Sequence, residues 1–74
     1  YTMKKIKKIK IRVNGKVKYI SDNYHMSDLV KNLKIPIKKV AIELNQEIID
    51  KKNISKINFK ENDTIEIVHF IGGG

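Results

Sequence analysis

The chain has 74 residues and a formal net charge of +8, which is enough for one domain with a small core and too little for a deep catalytic cleft. It contains no cysteine, so it has no disulfide framework, no thiolate metal site and no cysteine nucleophile. No apolar run approaches the roughly 20 residues that span a bilayer, and none follows the basic start as in a signal peptide, so no membrane partner and a cytoplasmic location are expected.

A charge of this size can attract nucleic acid, an anionic membrane surface or an acidic partner. Here, however, the lysines are spread along the whole chain among many isoleucines and asparagines, which reads as compositional bias. The aromatics Tyr1, Tyr19, Tyr24, Phe59 and Phe70 do not interleave with basic residues as a stacking platform for single-stranded nucleic acid requires.

Tyr1 and Thr2 precede Met3, the expected initiator, so residues 1–3 read as an extraneous or disordered start. Ile9-Lys10-Ile11-Arg12-Val13 alternates apolar and basic residues with period two, a strand with one buried face, which Ile6 extends weakly. Asn14-Gly15 is the favoured pair for a tight type I′ hairpin turn, since both residues tolerate positive φ. Lys16 to Ile20 is the returning strand, but Val17 and Tyr19 fall on one face and Ile20 on the other, so its register stays open.

Ser21-Asp22-Asn23 reads as a loop. Met26, Leu29, Val30 and Leu33 then fall at i, i+3, i+4 and i+7, the apolar stripe of one helix. Asp28 suits the first turn of that helix, and Asn23 is a better N-cap by residue type than His25. Pro36 restricts Ile35 and ends the helix by about Lys34, with Pro36 to Lys39 as a single turn. Val40-Ala41-Ile42-Glu43-Leu44 is a second alternating strand, turned by Asn45-Gln46 into a short partner, Glu47-Ile48-Ile49. Asp50 to Phe59 reads as an ordered loop anchored by Ile54, Ile57 and Phe59. Glu61-Asn62-Asp63 is a turn with Asn62 left-handed, and Thr64 to Val68 is the last strand. A helix crossing over after the hairpin brings the later strands beside the first. The expectation is a single α+β domain over residues 1–74, a small mixed sheet with one main helix on one face.

The chemistry of this chain is sparse. His25 and His69 are far apart with no carboxylate at metal-ligand spacing, and there is no serine elbow and no glycine-rich phosphate loop. The acidic residues are single and scattered. The chain therefore reads as a binding or carrier module. What remains is its end, Val68-His69-Phe70-Ile71-Gly72-Gly73-Gly74, where an apolar strand runs into three glycines. Glycines can thread a narrow channel and leave the terminal carboxylate unhindered; a disordered end is the competing reading. Phe70 and Ile71 suit partner docking or edge packing of the last strand, and His69 reads as edge packing.

The order of these elements, with Val13-Asn14-Gly15, Val40-Ala41-Ile42-Glu43-Leu44-Asn45, Asp63-Thr64-Ile65-Glu66-Ile67-Val68 and the terminal Gly72-Gly73-Gly74, resembles the ThiS family, the ubiquitin-like sulfur carriers of thiamine biosynthesis. The resemblance runs from about Lys7 to Gly74. It departs at His25, where the family commonly has Thr or Ser, and at Asn62, where it often has Gly. The resemblance implies a β-grasp fold with the first and last strands parallel in the middle of the sheet. It implies that the chain is not an enzyme and binds no cofactor itself. The carboxylate of Gly74 is expected to attack ATP, held with Mg on a ThiF-like adenylating enzyme, and sulfur from a donor protein then displaces AMP. The resulting thiocarboxylate delivers its sulfur to a ThiG-like thiazole synthase. Gly72 and Gly73 would thread into the partner, with Phe70 and Ile71 docking beside it. The alternatives are the similar carrier of molybdopterin synthesis, which is usually longer, a protein-modifying ubiquitin-like tag, and a small basic β-grasp domain with its N-terminal lysines on nucleic-acid phosphates.

Overall fold

The structure, a computed structural model, describes residues 7–70. The chain runs through β1 (Lys8–Val13), β2 (Lys16–Ser21), α1 (Met26–Asn32), a 3-10 turn (Ile37–Lys39), β3 (Val40–Leu44), β4 (Glu47–Ile48), a longer 3-10 segment (Lys51–Lys56) and β5 (Asp63–His69). The strands form one sheet in the order β2-β1-β5-β3-β4. β1 and β5 are parallel, and the other pairs are antiparallel. The first and last strands thus lie side by side in the interior of a mixed sheet. This is the α+β arrangement expected from the sequence, a β-grasp fold. The expected start at residues 1–3 and the extension through Ile6 lie outside the described residues.

Alternation in β1 sets the core. Ile9, Ile11 and Val13 are buried, and the register passes that face to Ile20 on β2 and Ile65 on β5. Val40 and Ile42 of β3 continue it, and Met26 and Leu29 of α1 close over it with Phe59. Ile9 stands opposite Ile20, and Arg12 opposite Val17. This settles the open register of β2: Val17 and Tyr19 lie on the far face with Arg12 and Lys10, and Ile20 turns inward. Asn14 and Gly15 have φ of 50° and 83°, both positive, as a type I′ turn requires. Asn45 and Gln46 turn β3 into β4 in the same way, with φ of 52° and 73°.

Three local expectations are corrected. The N-cap is His25, not Asn23. Its extended backbone is locked when its N–H donates to the Asp28 carboxylate at 2.8 Å, one half of a capping box, so the partner three residues on compensates for a poor capping residue type. The helix ends one residue short of the apolar stripe, because Leu33 is its C-cap and is 45% exposed. Ile35 N–H bonds to Val30 O and Lys34 N–H to Lys31 O, with Lys34 at φ 53°. That pair of bonds is a Schellman turn built on lysine in place of glycine, and it swings Leu33 off the buried face. Ile49 falls outside β4, although its N–H still bonds to Ile42 O.

The stretch from Asp50 to Phe59 is ordered, with Asp50 capping the 3-10 segment through Lys52 N–H. Ile54, Ile57 and Phe59 all pack on the core, as the sequence implied. Asn62 is left-handed at φ 70°, and Asp63 already belongs to β5, buried and bonded to Asn45 and to the Lys60 N–H.

Candidate functional site

The site is built where β5 runs out. β5 is an interior strand, but its two neighbours do not accompany it equally far. On one side β1 pairs only as far as Val13 opposite Ile65. Asn14 then takes over: its N–H bonds to Ile65 O at 2.9 Å and its side-chain Oδ1 accepts from Ile67 N–H at 2.7 Å. A turn residue therefore extends the parallel ladder by one more bond with its side chain. On the other side β3 follows to Val40 opposite His69, and Phe70 N–H still donates to Lys39 O at 2.9 Å. The backbone is therefore hydrogen-bonded as far as Phe70, four positions before Gly74 in the sequence.

His69 stands opposite Val40 with its side chain exposed. Phe70 is 57% exposed, and the Lys51 ammonium lies 5.5 Å from the centre of its ring. The same nitrogen donates to Ile37 O at 2.9 Å and Val40 O at 2.7 Å. Of the residues expected at the working end, Phe70 is brought to this exit. Ile71, Gly72, Gly73 and Gly74 lie outside the described residues. Sequence reasoning missed Lys51 and the side-chain role of Asn14. A lysine between Asp50 and Lys52 reads as solvated, and Asn14 reads as a turn residue and nothing more.

The face of the sheet away from the helix carries Val68 beside Ala41, and Glu66 opposite Glu43, with Arg12 and Lys10 across β1. Val68 and Tyr19 are exposed there. Among the described residues the one close approach of a basic to an acidic side chain is between His25 Nδ1 and Asp28 Oδ2 at 3.7 Å, and no three His, Asp or Glu residues are grouped to hold a metal. A shallow depression of about 370 Å³ lies between the β1–β2 turn and Leu33, lined by Val13, Asn14, Lys16, Val17 and Lys18. Its lining holds lysines but no acid or nucleophile to work with them. Among the described residues no helix is long and apolar enough to cross a membrane.

The comparisons with known proteins agree with this geometry. The family model described as the ThiS family matches residues 11–74. The chain is 40% identical over 65 residues to the sulfur carrier protein ThiS of Bacillus subtilis (strain 168), covering 86% of this chain and 98% of that protein. It is also 35% identical over 66 residues to a thiazole synthase of Paramagnetospirillum magneticum, covering 89% of this chain but 20% of that protein. The crystal structure of a thiamine biosynthesis protein, ThiS, from Geobacter metallireducens superposes with a TM-score of 0.76 at 28% identity, covering 89% of this chain and all of that one. The family match over residues 11–74 and the likeness to the Bacillus carrier over nearly its whole length, on a β-grasp sheet, place this chain in the ThiS family, the small sulfur carriers of thiamine biosynthesis.

Proposed function

We propose that the working group of this carrier is the C-terminal carboxylate of Gly74 and that its sulfur travels as a thiocarboxylate. The observation that carries the reading is the exit of β5: backbone bonds run through Phe70, and Ile71 and three glycines come next in the sequence. A carboxylate is a poor acyl donor, so it must first be activated. Its oxygen attacks the α-phosphorus of ATP, held with Mg on a separate adenylating enzyme, and pyrophosphate leaves. Hydrosulfide, released by a sulfur donor protein, then attacks the acyl carbon, AMP leaves and the thiocarboxylate results. These steps need nucleotide machinery on the partner and nothing from the carrier beyond reach, which is all that Gly72 and Gly73 supply.

The acceptor in this reading is a ThiG-like thiazole synthase. Support comes from the Paramagnetospirillum magneticum relative, in which a segment similar to this chain is part of a protein named thiazole synthase; a carrier and its acceptor on one chain have a shared task. Phe70, at the exit, is the described residue best placed to meet a partner, and Ile71 follows it. The reading assigns the carrier to the cytoplasm, where the adenylating enzyme finds ATP. The test is the intact mass of the chain after incubation with an adenylating enzyme, ATP and a sulfide source. One oxygen exchanged for sulfur, lost when Gly74 is removed, is the expected result. An unchanged mass, with the enzyme active on another carrier, would overturn the reading.

A further inference from the structure

Phe70 poses a mechanical problem. It is the last described residue before the glycines, yet it is more than half exposed, so burial alone cannot hold it. One backbone bond to Lys39 O secures its N–H, and beyond β5 a single bond leaves the strand end free to fray. The lysine beside it is itself unusually well fixed. An ammonium has three N–H donors. Two of those on Lys51 are committed to Ile37 O and Val40 O, the carbonyls on either side of Lys38-Lys39, and the Phe70 ring lies 5.5 Å from the same nitrogen. Three strands of contact therefore meet at residues 37–40: the Lys51 head on two carbonyls, the Phe70 N–H on the carbonyl between them, and the Phe70 ring near the cation. Lys51 is also the first residue of the 3-10 segment whose cap, Asp50, is bonded to Lys52, so its backbone is set before its side chain reaches out.

The geometry points to Lys51 as a positioning residue for the carrier's reaction: its ammonium holds Phe70 and so fixes the point and direction in which the chain leaves the sheet at Phe70. This rests on the reading that Gly74 is the group delivered to the partner. A chain that must enter a narrow site loses less freedom on binding when its root is already aimed. A cation is the right group for this position because it can satisfy two carbonyls and attract an aromatic face at once. A neutral donor would satisfy the carbonyls and leave the ring.

The experiment uses the full chain with its adenylating enzyme and compares wild type, Lys51→Met, Phe70→Leu and the double variant. Methionine keeps most of the stem and removes the charge. The first readout is amide hydrogen exchange of Phe70, which needs no partner; the Lys51→Met change is expected to speed it several-fold while the Ile65 amide is unaffected. The second is kcat/KM for adenylation well below the melting temperature, expected to fall roughly two- to fivefold for Lys51→Met. The two single changes should not multiply in the double variant, because the lysine acts through the ring. Unchanged exchange at Phe70, or single effects that multiply, would overturn the proposal. If wild-type carrier is not adenylated at all, it is the function reading that fails, and the exchange measurement still decides whether Lys51 holds Phe70.

Discussion

At the scale of single residues, Asn14 shows how one side chain serves both a turn and a ladder. Its φ of 50° is tolerated by asparagine better than by most residues, and its Oδ1 holds the Ile67 N–H after β1 has ended. Asn14→Ala should lose about 1–2 kcal/mol of stability, from the strain of a left-handed alanine and the missing bond. Asn14→Gly relieves the strain and loses only the bond, so it should cost less, about 0.5–1 kcal/mol. Urea denaturation of the two variants separates the contributions, and equal losses would show that the backbone angle is not what matters. Gly73 calls for a different measurement. Gly73 comes four positions after His69, the last residue of β5, and so is not among the residues that build the sheet. Gly73→Val is therefore expected to melt like wild type and to resist adenylation, because the added carbons obstruct entry into the partner. Normal adenylation of that variant would remove the argument for a narrow channel. The asparagine turn was legible in the sequence because the dipeptide Asn-Gly has a local meaning. The bond from Asn14 to Ile67 was not, because it depends on a strand that returns from 53 residues away.

At the scale of elements, the strands were legible wherever one face is buried and the other is not. β1 and β3 alternate in the sequence because the sheet has a core side and an open side. β2 was ambiguous for a physical reason: it is an edge strand with Ile20 its one buried residue, so little burial is at stake in its register. α1 was found by its stripe, and its end was missed by the same stripe. Leu33 falls at the right spacing, but the Schellman turn at Lys34 removes it from the core. Periodicity reports what a helix could bury, and the chain reversal decides what it does bury. Met26 and Leu29 are the helix residues that are fully enclosed. Leu29→Ala is expected to cost roughly 2–5 kcal/mol, the lost transfer energy plus the cavity left in the buried cluster. Leu33→Ala, at an exposed position, should cost far less. Thermal melts of the two variants check the assignment, and a Leu33 loss matching that of Leu29 would contradict the described helix end.

At the scale of the whole molecule, the domain divides into a frame and a root. The frame is a five-stranded sheet with one covered face; the root is the place where β5 leaves it, tied by Asn14 on one side and by Lys39 and Lys51 on the other. The net charge of +8 leaves a second way for such a domain to act, as a small basic module bound to nucleic-acid phosphates, and the two ways make opposite demands on the end of the chain. Phosphate contacts come from lysines and arginines on the frame, and binding through them falls steeply as salt rises. A chain lacking Gly73 and Gly74 keeps every one of those lysines, and the described frame ends before either residue. Its melting temperature should equal that of the full chain. A nucleic-acid binder would keep its affinity and its salt dependence through this deletion. A carrier whose chemistry resides in the terminal carboxylate loses everything, even though a carboxylate is still present on the new last residue, because that group now falls two residues, or up to about 7 Å of extended chain, short of the site it must reach. The expected outcome is an intact fold with no sulfur gained by mass. Sulfur gained on the shortened chain would mean that the partner follows the end wherever it lies, and that the length of the glycine run is not what brings the carrier to its chemistry.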